Sequence, residues 1–285
     1  MRSSGPGFGG LLRSIFSKIS WGEAATREER LNIPAPKGKG ISVHNANGKT
    51  RVIGEDREDI EIGILKSVRA DCPDVASQLL DSIQLQNADS ADILEIEISI
   101  PRKCARHAIA HIELRVPRET QVSLSSTNGK ICLEGIERPI RARSSNGSIH
   151  INEVNGDIDV TTANAKVACR NTEGHLRARC SNGKIEIGAH RGSVDASTSN
   201  GVIRAVLEHL GQVGVALKTS NGRIVLELPE KSDADVDIHV ENGHIRNDLD
   251  LEEQIGDANG RVRGRLGKGG IPIRLRTSNG TVALR

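Results

Sequence analysis

Residues 127–207 divide every nine residues into TNGKICLEG, IERPIRARS, SNGSIHINE, VNGDIDVTT, ANAKVACRN, TEGHLRARC, SNGKIEIGA, HRGSVDAST and SNGVIRAVL. The nine blocks begin at Thr127, Ile136, Ser145, Val154, Ala163, Thr172, Ser181, His190 and Ser199, with no insertion between them. A short period held this long implies a stacked repeat. Alternate blocks are more alike than neighbours. Asn128, Asn146, Asn164, Asn182 and Asn200 recur every 18 residues, with looser copies at Asn221, Asn242 and Asn279. The repeating unit is therefore two short strands and two turns, with Asn and Gly expected where the backbone needs positive φ.

Apolar positions alternate within each unit, as half-buried strands require. Three and five residues after the asparagine stand Ile131/Leu133, Ile149/Ile151, Val167/Cys169, Ile185/Ile187, Ile203/Ala205 and Ile224/Leu226. Six and four residues before it stand Val122/Leu124, Ile140/Ala142, Ile158/Val160, Leu176/Ala178, Val194/Ala196 and Val215/Leu217. Both sets are expected to face one interior. An antiparallel meander of Asn-Gly hairpins accommodates a nine-residue period. A single-stranded parallel β-solenoid (β-helix) of 18-residue coils also explains why identities recur in register, and it is the expected fold of an all-β chain. It predicts an asparagine ladder, with equivalent positions about 4.8 Å apart in successive coils. It also places Arg141, Asp159, Arg177 and Asp195 in one outward column of alternating sign.

Outward from the repeat, 121–285 is assigned to the solenoid and 41–120 to a first coil plus an N-terminal cap. Within the latter, ISVHNANGKTRVI (41–53) looks like one stray coil. Strands are expected near 60–65, 93–100 and 109–116. A helix is expected near 73–83, with Val75, Leu79, Leu80 and Ile83 at helical spacing and Asp71 or Asp74 as the cap. The C-terminal end is either covered by 247–272 or left as a surface for self-association.

Composition narrows the function. The 285 residues carry 39 Lys+Arg against 37 Asp+Glu, a net charge of +2, which argues against a nucleic-acid binder. Aromatics are 1% of the chain with no Tyr, so Ile, Val, Leu and Ala must fill the core. The three aromatics, Phe8, Phe16 and Trp21, all lie in residues 1–40, an amphipathic segment and linker. There Leu11, Leu12, Ile15, Phe16 and Ile19 fall along one helical face, and no acidic residue occurs through Gly22. Phe8 and Trp21 join this face as candidate contacts with a membrane interface or a partner. Docking on the solenoid, an organellar transit peptide and an idle tail are the alternatives. Five cysteines at unpatterned spacings read as free thiols. With no apolar run long enough to span a bilayer and no secretory signal, they point to the cytoplasm, peripheral to the inner membrane face.

The segments ADILEIEISIPR (91–102) and AIAHIELRVPRETQVSLSSTNGKICLEGIERPIRARSSNGSI (108–149) resemble the bacterial "putative adhesin" family of β-strand repeats, a family of unknown function. The shared marks are the Leu114-x-Val116-Pro117 entry strand and the recurrent Ser-Asn-Gly-x-Ile turns, over about 41–285. The resemblance implies β-solenoid-like domains, often attached to the cell envelope, and brings no catalytic residues.

Candidate chemistry is sparse. The turns carry Lys130, Lys166 and Lys184 where a calcium β-roll needs oxygen ligands. Cys104, His107 and His111 have helical metal spacing but sit in a strand pattern, which separates the histidines by about 13 Å. Neither a metal nor a cofactor is expected. Asp159 and Asp195 stand two coils apart, about 10 Å, the edge of an inverting carboxylate pair, with Arg177 between them holding both ionised. Lys130, Lys166, Lys184 and Arg223 form a basic column, a candidate anion contact without the aromatics that single-stranded nucleic acid uses. The expected function is a non-catalytic scaffold or adhesin-like protein that binds a protein or envelope component. A carbohydrate-active β-helix enzyme and an anion-binding module are the alternatives.

Overall fold

The computed structural model describes residues 24–35, 40–70, 72–89, 93–101, 107–257 and 260–285. The amphipathic segment from Phe8 to Trp21, like Cys104, lies outside them. The described chain is mostly strand, with one helix, in one long and mostly parallel sheet.

The 18-residue period is the rung-to-rung register. Strand β10 (Ile140–Ser144) pairs in parallel with β8 (Val122–Asn128) and with β12 (Ile158–Thr162), each residue opposite the one 18 away. On the second side, β11 (Ile149–Asn155) lies between β9 (Ile131–Ile136) and β13 (Val167–Asn182) in the same register. Strands β13, β14 (Ile185–Asn200) and β15 (Ile203–Glu227) run through a corner without interruption, so each supplies a side to two rungs. All 24 inward positions read from the repeat are at most 3% exposed. The narrow interior holds Ile, Val, Leu, Ala and Cys169 in single file, so the core needs no aromatic bulk.

A second buried column, polar except at Val240, stands two residues before each ladder asparagine. It contains Ser126, Ser144, Thr162, Cys180, Thr198 and Thr219. Thr162, Thr198 and Thr219 donate to turn carbonyls of the preceding rung, Gly147, Gly183 and Gly201, at 3.1–3.4 Å. The Cys180 thiol does the same to Ala165 at 3.3 Å. These bonds satisfy carbonyls that a buried turn would otherwise strand.

The asparagine ladder is longer than the repeat alone suggests. Nine asparagines form one chain of Nδ2–H to Oδ1 bonds of 2.8–3.2 Å, in the spatial order 47, 128, 146, 164, 182, 200, 221, 279, 242. The expectation of positive φ holds for only part of this column. Gly48, Gly222, Gly243 and Gly280, each after a ladder asparagine, have φ of 128–158°, whereas the asparagines themselves and Gly129, Gly147, Gly183 and Gly201 do not have positive φ. Glycine follows the asparagine there because rungs touch: a Cβ on Gly147 would lie 1.7 Å from the Gly129 carbonyl oxygen. A further column of left-handed residues stands at the opposite corner, at Gly135, Glu153, Asn171 and Ala189, again 18 apart.

Chain order and spatial order part at both ends. The segment read as a stray coil, β2 (Gly40–Asn47) with β3 (Thr50–Glu55), is an interior rung. It lies between β8/β9 and the rung made by β6 (Ile93–Ser99) and β7 (Ala108–Pro117). Likewise β19 (Pro272–Leu284), the last strand in sequence, pairs in parallel with both β15 and β16 (Ala234–Asn247). Each terminal segment thus has both of its edges paired.

The ends themselves are antiparallel. At the N-terminal end, β4 (Asp59–Arg69) pairs with β7, β5 (Gln84–Asp89) with β6, and β1 (Ala24–Pro34) with β4. Buried Lys66 ties β4 to β1 through Glu29 at 2.6 Å. Helix α1 (Pro73–Ser82) packs here through Ala76 and Leu80, while Val75 is 45% exposed. Its N-cap is Cys72, with no side-chain capping bond, so Asp74 adds only first-turn charge. At the C-terminal end, β18 (Arg261–Leu266) pairs antiparallel with β16 and β17 (Glu252–Asp257) with β18. This hairpin is the cover expected from 247–272. Two of the outer strands carry charge, Arg27 to Arg30 on β1 and Glu252 with Glu253 on β17, which discourages strand addition there.

Candidate binding surface

Outward side chains fall into straight columns because the register is constant. On the first-strand face, Arg141 faces Asp159 across the ladder, and Asp159 and Asp195 flank Arg177. The Arg141–Asp159 and Arg177–Asp195 contacts are 3.7 and 3.8 Å. Arg179 adds a bidentate pair to Asp195 at 2.8 and 2.5 Å. Arg179's hydrogen bonds hold the Asp195 carboxyl below the ordinary carboxylate range. An ionised, arginine-clamped Asp195 has no proton to give a leaving group and so does not suit the general-acid role.

The second-strand face carries the basic column. Lys130, Lys166 and Lys184 point outward with Ser148 between the first two. Arg223 stands farther along, next to Thr281 of β19. Two features were not read from the sequence. The interior placement of β3 sets Lys49 and Arg51 beside Lys130 and Cys132. Glu186, one pleat along from the column, forms ion pairs with both Lys166 and Lys184. Those two ammonium groups draw its carboxyl down to about 2. The signal for Glu186 was available, since strand alternation points it to the same face as Lys184.

A groove of about 540 Å3 opens on this face between Lys49 and Arg51 on one side and Lys166 and Arg170 on the other. Its floor is made of short side chains, Cys132 and buried Ala168. Glu134 is held by Arg51 at 2.9 Å. Lys49, Lys130 and Arg170 make no ion pair among the described residues. The titratable neighbours register the field. The His150 pKa is lowered by burial and then by Lys130, Lys166 and Arg170. That of His111 is lowered by burial and by Lys49. Burial pushes the Cys132 thiol up, against the pull of Lys130, Lys49 and Arg51. His111 lies within strand β7, where its Nδ1 accepts the Lys49 amide at 2.9 Å. That is a structural role on a strand, as its flanking pattern implies. His107 is exposed, and no metal-holding group of His, Cys, Asp and Glu occurs among the described residues.

A second cavity, about 590 Å3, lies at the corner where the rungs lose register, among Glu173, His175, Arg191, Glu208 and His209. The rung from Asn200 to Asn221 is 21 residues long rather than 18. Its extra residues push out Val213, which is 73% exposed. Arg191 and Glu208 pair across the cavity at 3.0 Å, and the buried His175 Nδ1 has no partner.

The profile of a family described as Toastrack DUF4097 matches residues 39–285, which contain all the rungs and both faces. Several solved structures resemble the chain, among them the following three. One is a putative adhesin from Bacteroides fragilis, 13% identical, with 92% of this chain and 97% of that one covered and a TM-score of 0.48. Another is a putative adhesin from Parabacteroides distasonis, 8% identical, with 93% and 98% covered and a TM-score of 0.38. The third is a putative cell adhesion protein from Clostridium sporogenes, 12% identical, with 91% and 99% covered and a TM-score of 0.32. No curated protein matches the chain significantly.

Proposed function

Given that the chain belongs to the Toastrack DUF4097 family, we propose that it is a non-catalytic, adhesin-like β-solenoid scaffold that binds a macromolecular partner through its outward columns. The supporting observation is the continuous ladder of nine asparagines, which locks nine successive rungs in register. A locked register holds outward side chains at a fixed repeat of about 4.8 Å, so a partner meets a preformed array and the surface loses little freedom on binding. The N-terminal segment with Phe8, Phe16 and Trp21 holds the scaffold at the inner face of the membrane or on an envelope component.

Fractionation of the full-length chain beside a variant lacking residues 1–22 tests the membrane part. Sedimentation of the full-length chain alone with membranes, and its release by detergent, is the expected result. Equal solubility of both overturns it. A second form of the function, an anion-binding module, is favoured by the unpaired cations around the 540 Å3 groove.

A further inference from the structure

We propose that the groove between Lys49 and Arg170 binds a segment of acidic polysaccharide, running along the stack across four rungs. This rests on the scaffold function above and names its ligand class.

The four rungs contribute in sequence order of space β3, β9, β11 and β13. Cations lie at the two ends of the groove. Lys49 and Arg51 line it on the first rung and Lys166 and Arg170 on the fourth, while Lys130 stands next to Lys49 on the second rung, outside the lining. The third rung offers hydrogen-bonding groups to the groove, His150 and Asn152 with Ser148 beside them, and its one carboxylate, Glu153, is held by the Asn152 amide at 3.0 Å. Lys130 and Lys166 are two rungs apart, about 10 Å. An extended glycan with an acid on alternate sugars repeats on that length scale. Its acidic groups would meet the two cationic ends, and the neutral sugar between them would lie over the hydroxyl, imidazole and amide.

Charge balance supports an anionic ligand. Glu134 is satisfied by Arg51, and Glu186 is shared by Lys166 and Lys184, so neither carboxylate neutralises Lys49, Lys130 or Arg170. The ligand is a sugar rather than a nucleic acid strand because no Phe, Tyr or Trp lies beyond Trp21, and the groove therefore offers no base-stacking platform. The shallow floor at Cys132 and Ala168 leaves room for a ring.

The test is calorimetric titration of the full-length chain with a hyaluronan octasaccharide at low ionic strength. Inorganic polyphosphate and neutral dextran are titrated in parallel. Saturable binding of the octasaccharide is expected, weakening as salt rises, with none to dextran. Lys130→Glu and Arg170→Glu should each weaken it about tenfold, as expected for losing one close charge contact and gaining a repulsion. Lys218→Glu, an exposed change on the first-strand face, should leave it unaltered. All three positions are solvent-exposed, and equal thermal midpoints will establish that the variants are folded. Absence of octasaccharide binding overturns the proposal. Binding that neither groove variant weakens also overturns it, while leaving partner binding through another face intact. Polyphosphate binding as tight as the glycan's overturns the polysaccharide assignment, since a plain ion-exchange surface then suffices.

Discussion

Replacing Gly147 with alanine will destabilise the stack, although the backbone at that residue is open to any amino acid. Its φ lies outside the left-handed region. The obstacle is the neighbouring rung. A Cβ there would sit 1.7 Å from the Gly129 oxygen, 2.6 Å from the Gly129 carbonyl carbon and 2.7 Å from Ser144 Oγ. Two of these three atoms are backbone, so no side-chain rotation relieves the overlap and the rungs must separate locally. Overpacking of this kind costs about 1–3 kcal/mol. The alanine recovers about 0.4–1 kcal/mol by restricting the unfolded chain. Ala165 occupies the equivalent place in one natural rung, so the cost is finite. A net loss of about 1–2 kcal/mol is expected. Gly188 is the internal control. Its φ is also ordinary, and its added Cβ would meet only Arg170 Cγ, at 3.8 Å. Gly188→Ala should therefore stabilise by about 0.4–1 kcal/mol through the unfolded state alone. Urea unfolding followed by far-UV circular dichroism measures both. A Gly147→Ala protein as stable as its parent, or variants shifting in the same direction, would refute close rung approach as the reason for these glycines.

Three further outcomes are expected. Asn182→Ala removes ladder bonds of 3.0 and 2.8 Å and should cost about 1–2 kcal/mol, whereas Asn242→Ala, at the ladder's end, removes one of 3.2 Å and should cost about half as much; urea midpoints decide. Glu186 is held at about 2 against an ordinary 4.5, so it contributes stability above about pH 4.5 that is lost as the pH falls toward 2. Thermal midpoints across that range should fall less steeply in Glu186→Gln, and parallel curves would show that the carboxylate adds nothing. Burial pushes the Cys169 thiol up to about 12 while Cys72 is exposed. Iodoacetamide at about pH 8 should label Cys72 in the folded protein and reach Cys169 only in urea, as read by mass spectrometry.

Much of the architecture was legible because a parallel stack writes its register into the sequence. Alternation alone placed Ile185 and Ile187 inside and Lys184 outside, and the recurrence of asparagine gave the ladder. The helix was visible from Leu80 and Ile83, although its capping was not, since Asp74 falls inside the first turn rather than at the cap. For the candidate surface, the sequence supplied Lys130, Lys166 and Lys184 but presented them as free cations. The pairing of two of them with Glu186 depends on side-chain reach across neighbouring strands, which offsets along the chain do not measure.

What the sequence determined by itself is membership: which residues form a rung, which face inward, and which hydrogen-bond along the turn column. What only the tertiary structure decided is the order of the rungs. Each of the nine ladder rungs offers its neighbours the same backbone edge and the same asparagine, so a rung near either terminus satisfies the repeat equally well at several heights. The choice falls to the ends, where unpaired edges are costly and the antiparallel strands β4, β5 and β18 cover β7, β6 and β16. With those places taken, the segments 40–55 and 272–284 fill interior positions with both edges paired. That placement brings Lys49 and Arg51 beside Lys130, across a sequence separation of about 80 residues, and so creates the groove.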